Sequence, residues 1–158
     1  SGFTGPDGIF KADYIAGTET GTDTPTYWLD LFEPENAPVI NLISDGASLE
    51  FIARLLSPVP LETVPWGQEV ELYATLKDRY GNLGKDELVD WAVENDPAQT
   101  RTQAIIRPSH GRTNQEGLTR VFVSSPTGGT FRFSVLCQRN EKKVFFEPIT
   151  FAGEEPAQ

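Results

Sequence analysis

The sequence has 158 residues, 23 acidic against 13 basic side chains, a formal net charge of −10 and an apolar share of 38%. That length holds one well-cored domain, or one domain and part of another, and no run of about 18 apolar residues is present to cross a membrane as a helix. The charge is lopsided: residues 1–50 carry nine acids against one base, Lys11, which leaves no basic footprint for nucleic-acid phosphates or an anionic membrane surface and reads as a solubility device. With no methionine, and with no basic and apolar leader at Ser1-Gly2-Phe3, the sequence reads as a piece excised from a longer polypeptide.

Taken in order, the elements predict an all-β chain. Twelve prolines and 14 glycines punctuate it, and no i, i+3, i+4, i+7 apolar pattern lasts three helical turns. Residues 1–43 run from Thr4-Gly5-Pro6-Asp7-Gly8 through a Gly/Thr turn at Gly17 to Thr24 into an aromatic-rich strand and then another strand. Ser44-Asp45-Gly46-Ala47-Ser48 reads as a short linker. Leu49 to Leu56 fits either two helical turns or a strand. In Glu69 to Leu76, Val70, Leu72, Ala74 and Leu76 alternate with other residues, as a strand with one buried and one wet face requires. The turn Asp78-Arg79-Tyr80-Gly81-Asn82 follows, then a strand around Val89, Trp91 and Val93, a turn at Asn95-Asp96-Pro97, and a long basic stretch from Gln99 to Arg112 with a turn at Ser109-His110-Gly111. Leu118 to Val123, Phe131 to Cys137 and Lys143 to Phe151 complete the strands, with a turn at Pro126 to Gly129. Residues 153–158 read as a disordered tail.

An internal repeat organises this list. Thr4-Gly5-Pro6-Asp7-Gly8-Ile9-Phe10-Lys11-Ala12 aligns with Thr113-Asn114-Gln115-Glu116-Gly117-Leu118-Thr119-Arg120-Val121, as Thr-x-x-acid-Gly-aliphatic-x-base-small. The offset of 109 positions is close to the roughly 100 residues of one β-sandwich domain. Residues 1–43 therefore read as the last three strands of one domain, and residues 49–152 as one complete domain. Three strands alone leave an open edge and an apolar face bearing Phe10, Tyr14, Tyr27, Trp28, Leu29, Leu31 and Phe32. The expectation is that this segment pairs with something: a second copy by strand exchange, a partner chain supplying the missing strands, or residues 49–152.

Residues 49–152 resemble a bacterial Ig-like domain of the invasin/intimin type. The resemblance is carried by Val64-Pro65-Trp66-Gly67, by Leu76-Lys77-Asp78-Arg79-Tyr80-Gly81-Asn82, and by the strand Val89-Asp90-Trp91-Ala92-Val93. Thr113-x-x-Glu116-Gly117 and Ser125-x-x-Gly128-Gly129-Thr130-Phe131-Arg132-Phe133 extend it. It implies an immunoglobulin-like antiparallel β-sandwich, with an additional partial sandwich at the N-terminus. It also implies a structural or adhesive module of a bacterial surface or secreted protein, acting as a spacer or display stalk in cell adhesion beside neighbouring Ig-like domains of the same chain. Two alternatives stay open: a carbohydrate- or receptor-binding module meeting a host receptor or glycan, and an accessory domain of a larger secretion, pilus, phage or enzyme assembly.

The residue chemistry points away from catalysis. A nucleophile needs a neighbouring base, and the only histidine, His110, stands in a Ser/Gly turn. No nucleophile elbow, phosphate loop, dinucleotide fingerprint or EF-hand loop occurs, so no cofactor is expected, and whether calcium binds is left open. Cys137, the single cysteine, falls on the face of Phe131, Phe133 and Val135 and reads as a buried, inert thiol. The candidates for binding are Trp66 and Tyr80, as aromatic contacts, and Arg101, Arg107 and Arg112, as readers of an anionic group. Each has a plainer reading, the aromatics as end caps of the sandwich and the arginines as charges guarding a sheet edge.

Overall fold

The structure is a computed structural model that describes residues 2–29, 32–57, 63–94 and 103–154, with backbone only for 53–57. The chain divides into two compact units, residues 1–43 and 44–158.

The second unit is a two-sheet sandwich. Its strands are β5 (Glu50–Ser57), β6 (Val70–Lys77), β7 (Leu88–Glu94), β8 (Ile105–Arg107), β9 (His110–Arg112), β10 (Leu118–Ser124), β11 (Gly129–Cys137), β12 (Lys142–Phe145) and β13 (Ile149–Phe151). One sheet has the order β5-β6-β10-β8. The other has the order β12-β11-β7-β9, with β13 also paired to β11. All these pairings are antiparallel, and the partition of strands is that of the immunoglobulin sandwich. The run from Leu49 to Leu56, open between helix and strand in the sequence, is strand β5 with a bulge after Phe51.

Alternation puts the core together. Along β6, Val70, Leu72, Ala74 and Leu76 are buried and the residues between them half-buried. Val89 and Trp91 of β7, Val121 and Val123 of β10, and Phe131, Phe133, Val135 and Cys137 of β11 face them. Trp91 stacks on Phe146 with ring centroids 5.5 Å apart, and its Nε1–H donates to the Thr119 hydroxyl at 3.2 Å. The indole thus fills the centre of the sandwich without stranding its polar atom.

Lys143 to Phe151, expected as one strand, is two. Ser134 pairs with Phe145 and Phe131 with Ile149, so three residues of the last strand stand opposite two of β11. The extra residue is a β-bulge at Phe146-Glu147-Pro148. It shifts the inward parity: Val144 and Phe146 face the core before it, Ile149 and Phe151 after it. Pro148 stands where the ladder is interrupted and its missing N–H costs nothing.

Residues 44–48, expected as a linker, form a 3-10 turn at Gly46–Ser48 that belongs to the second unit, with Ser44 buried. His110, expected in a turn, begins β9. Of the expected tail, 153 and 154 are described and the rest lies outside the described residues.

The first unit consists of β1 (Gly21–Asp23), β2 (Thr26–Tyr27), β3 (Glu35–Asn36) and β4 (Ile40–Leu42), paired β1-β4 and β2-β3 as two steps of one antiparallel hairpin. None of its described residues is buried. Leu31 lies outside the described residues.

Candidate functional site

The second unit has two distinct ends. β6 begins at one, beside the turn Pro65-Trp66-Gly67, and finishes at the other, in the turn Asp78–Asn82. Eight strand residues separate them, a rise of about 23 Å. β5 opens with Glu50 opposite Lys77, and β13 closes with Phe151 opposite Gly129. The unit is therefore entered at the Asp78 end and left at the Trp66 end.

Asp78 builds the entry end. Its carboxylate is buried and accepts four hydrogen bonds, all at 2.9 Å: from the N–H groups of Tyr80, Asn82 and Asp45, and from the Asn82 side-chain amide. Burial pushes its pKa up, but these donors outweigh burial and hold the group below the ordinary aspartate value. Gly81, at φ +88°, supplies the left-handed residue that lets the loop close on Asp78. Asp45 caps the 3-10 turn by accepting from Ala47 N–H at 3.2 Å and pairs with Arg79 at 3.3 Å. The Arg79 N–H donates to Ser48 Oγ at 3.2 Å. The turn after β6 thus grips the segment through which the chain enters. In the sequence Asp78 is legible as a turn residue, but its grip on a segment 33 positions away is not.

The sequence candidates do not converge. Trp66 and Tyr80 are both half exposed and lie at opposite ends, with Arg79 stacked over the Tyr80 ring at 4.8 Å. The stretch to Arg112 is not one basic loop. Arg107 ends β8 in one sheet and Arg112 ends β9 in the other, so the two arginines lie on different sheets. Both are on edge strands and ion-paired, Arg107 with Glu69 at 3.8 Å and Arg112 with Asp86 at 3.3 Å. Arg101 lies outside the described residues.

The crossing of the chain from β8 to β9 opens a cleft between the sheets that the sequence did not announce. Its volume is about 560 Å³, and Trp91, Pro108, His110, Arg112, Asn114 and Arg120 are among its lining residues. Arg120 is paired with Glu71 at 3.5 Å. Among the described residues no group of three or more His, Cys, Asp or Glu is placed to hold a metal ion. Among the described residues no helix is long and apolar enough to cross a membrane.

Comparison with solved structures gives the D00–D0 domains of intimin, at TM-score 0.55 and 14% identity over 86% of this chain. That share is larger than the second unit alone provides. The fold is that of the intimin-type immunoglobulin-like domain. The intimin D0–D1 domains match at TM-score 0.52 and 13% identity over 77% of the chain, and the Yersinia pseudotuberculosis adhesin InvE at TM-score 0.53 and 17% over 86%. The chain spans 66%, 57% and 41% of the lengths of these three structures. At such identities the likeness to intimin-type domains is one of fold. No protein-family model matches the sequence, and no curated protein matches it.

Proposed function

We propose that the chain is a structural module of a bacterial surface or secreted adhesive protein, joined in series with other immunoglobulin-like domains and serving as spacer or display stalk. The observation that carries this reading is the placement of entry and exit at opposite ends of the second unit. A domain entered at one end and left at the other adds its length to a series. The grip of Asp78 on Asp45 stiffens the entry side. On the exit side, Val64 N–H donates to Thr150 O and Ala152 N–H to Val64 O, both at 2.8 Å, in a parallel bridge between Val64 and Phe151. Tension between entry and exit pulls these two segments in opposite directions along their length, so the bonds oppose it together. The intimin and InvE likenesses support an adhesive setting on the bacterial surface. Pulling the chain by its two ends tests the reading. A stalk module gives one cooperative unfolding event, at a force lowered by Val64→Pro, which removes the donor to Thr150. Gradual extension without an event overturns it.

A second reading is favoured by the cleft between β9 and β10, where His110, Arg112 and Arg120 gather on a chain of net charge −10. Such a rim suits an acidic glycan. Binding on a glycan array that R112A abolishes, with the fold intact, moves the function from spacing to recognition.

A further inference from the structure

The two units share more than the sequence repeat. Asn114 N–H donates to Leu118 O at 2.9 Å and Gly117 N–H to Asn114 O at 3.0 Å, with Gly117 at φ +67°. One offset of 109 earlier, Gly5 N–H donates to Ile9 O at 2.9 Å and Gly8 N–H to Gly5 O at 2.9 Å, with Gly8 at φ +74°. The corner that opens β10 is thus rebuilt ahead of Ile9.

The following hairpin matches pair by pair. In the second unit Gly129, Thr130 and Phe131 pair with Phe151, Thr150 and Ile149, while Ser134 and Val135 pair with Phe145 and Val144. In the first unit Gly21, Thr22 and Asp23 pair with Leu42, Asn41 and Ile40, while Thr26 and Tyr27 pair with Asn36 and Glu35. Every first-unit pair maps on its counterpart with constant offsets of 108 on the first strand and 109 on the second. The bulge is reproduced with its own bond: Phe146 N–H to Phe133 O at 2.9 Å corresponds to Ala37 N–H to Pro25 O at 2.7 Å. One shared register could be a generic hairpin, but a shared corner, register and bulge in the same order define the last three strands of one sandwich.

What differs is the cover. β10 is held by β6 on one side and β8 on the other, and β11 by β7. Residues 9–15, which correspond to β10, are in no ladder among the described residues, and β1 and β2 pair only with β4 and β3. The positions that correspond to the buried Thr119, Val123, Cys137, Ile149 and Phe151 hold Phe10, Tyr14, Leu29, Ile40 and Leu42, none of them buried. Where polar residues occupy this inward face they bring their partners: the Tyr14 hydroxyl donates to Asp23, and the Tyr27 hydroxyl to Glu35 at 2.7 Å. Such pairs can enter an interior with their hydrogen bonds made. Thr4 corresponds to Thr113, whose hydroxyl binds the loop after β6, donating to Gly84 O at 2.5 Å and accepting from Glu87 N–H at 3.0 Å. The first unit therefore keeps a residue whose counterpart serves a loop of the covering strands.

We propose that residues 5–42 are the closing half of a second immunoglobulin-like sandwich. Their open face docks an opening half of the build of residues 44–112, joined in cis ahead of the Thr4 corner. The cis source follows from the second unit, where five residues connect β9 to β10 and the covering strands precede the corner in the same chain. The covering segment must supply a strand on each side of residues 9–15, one beside residues 21–29, and an apolar inward face. This inference stands on strand register and does not depend on the spacer reading.

Amide hydrogen exchange tests it, on the chain of 158 residues and on the same chain extended by what its gene encodes ahead of Ser1, with the particle mass measured for both. Amides of residues 9–15 and 21–29 are expected to exchange fast in the shorter chain and on the order of 100-fold more slowly in the extended monomer. Ile40→Asp in the extended chain should abolish that protection and leave strands β6, β7, β10 and β11 protected. Protection already present in the shorter monomer overturns the proposal. So does protection that appears only with dimerisation, which makes a second copy the occupant, or an extension that changes nothing.

Discussion

The carboxylate of Asp78 accepts the backbone N–H of Asp45 at 2.9 Å, tying the turn after β6 to the segment through which the chain enters the second unit. A buried carboxylate that satisfies three backbone donors and one amide leaves all of them short when truncated. D78A is expected to destabilise the second unit by about 3 kcal/mol, and D78N, which keeps one carbonyl acceptor, by roughly half of that. Urea midpoints followed by tryptophan fluorescence and circular dichroism measure both. Exchange of the Asp45 amide should accelerate beyond what global destabilisation accounts for.

The same group sets a pH dependence. Asp78 is held below its ordinary value because its hydrogen bonds outweigh burial. Glu94 is lowered by the Lys143 ammonium at 2.7 Å, then by the Ser134 hydroxyl at 2.8 Å, against burial. A carboxylate whose pKa is depressed in the folded state contributes stability that is present above its unfolded value, near 4, and is lost as pH falls through the folded value. Unfolding free energy should thus be level from pH 7 to about 5 and fall below about 4, and Asp78→Asn should flatten that fall. A slope unchanged in the variant assigns it to other carboxylates.

How much of this was open to sequence reading depends on the distance over which each feature acts. Alternation along Val70, Leu72, Ala74 and Leu76 names the inward face of β6 because side chains of a strand alternate by geometry, and the plug role of Trp91 follows from its flanking Val89 and Val93. The bulge at Phe146 to Pro148 was not legible, since Lys143 to Phe151 is apolar and aromatic enough to read as continuous and only pairing with β11 reveals the extra residue. The same limit hides the sheet switch between Arg107 and Arg112. Both lie in one basic stretch, yet the hydrogen-bond partners of β8 and β9 lie in different sheets. The repeat was legible as far as Ala12 because side chains carry it there. Beyond that, Asp23 stands where Phe131 does and Glu35 where Val144 does, so only the backbone register preserves it.

Two glycines at matching corners separate backbone strain from packing. Gly117 has φ +67°, and a Cβ there would stand 2.8 Å from the Leu76 carbonyl oxygen. Gly8 has φ +74° with nothing within 4 Å. The left-handed backbone alone costs an alanine about 1 kcal/mol. G117A adds a backbone collision that no side-chain movement relieves and should cost the second unit about 3 kcal/mol in chemical denaturation. G8A should leave its midpoint unchanged. A G117A cost no larger than the roughly 1 kcal/mol of the left-handed backbone would show that the carbonyl contact is unimportant.

Cys137 offers a probe of the same unit. Its thiol is fully buried at the end of β11, and burial raises its pKa, which lowers the thiolate fraction that reacts. Labelling by an aromatic disulfide reagent at pH 8 should be negligible in the native chain and complete in urea, following the unfolding curve of the second unit. Rapid native labelling would mean that β11 opens locally.

Deleting two residues of the bulge is the most demanding test of the topology, because deleting Glu147 alone removes only the extra residue and leaves Ile149 opposite Phe131. Without Glu147 and Pro148 the last strand continues in the register of Ser134 with Phe145, Ile149 falls opposite Arg132, and Ile149 and Phe151 change faces. Both are buried against the core, and Phe151 also packs on Phe131 with ring centroids 6.1 Å apart and bridges Val64. Turning two such side chains to solvent forfeits about 4 kcal/mol of burial and breaks the parallel bridge, a large share of a domain's usual 5–15 kcal/mol. The deletion is expected to leave the second unit largely unfolded, or with its end beyond Phe146 detached, as measured by circular dichroism and amide exchange at 149–152. Glu147→Ala, which keeps the residue count, should fold with a midpoint near that of the parent. A deletion variant as stable as the parent would show that Ile149 and Phe151 contribute little to holding the sandwich closed.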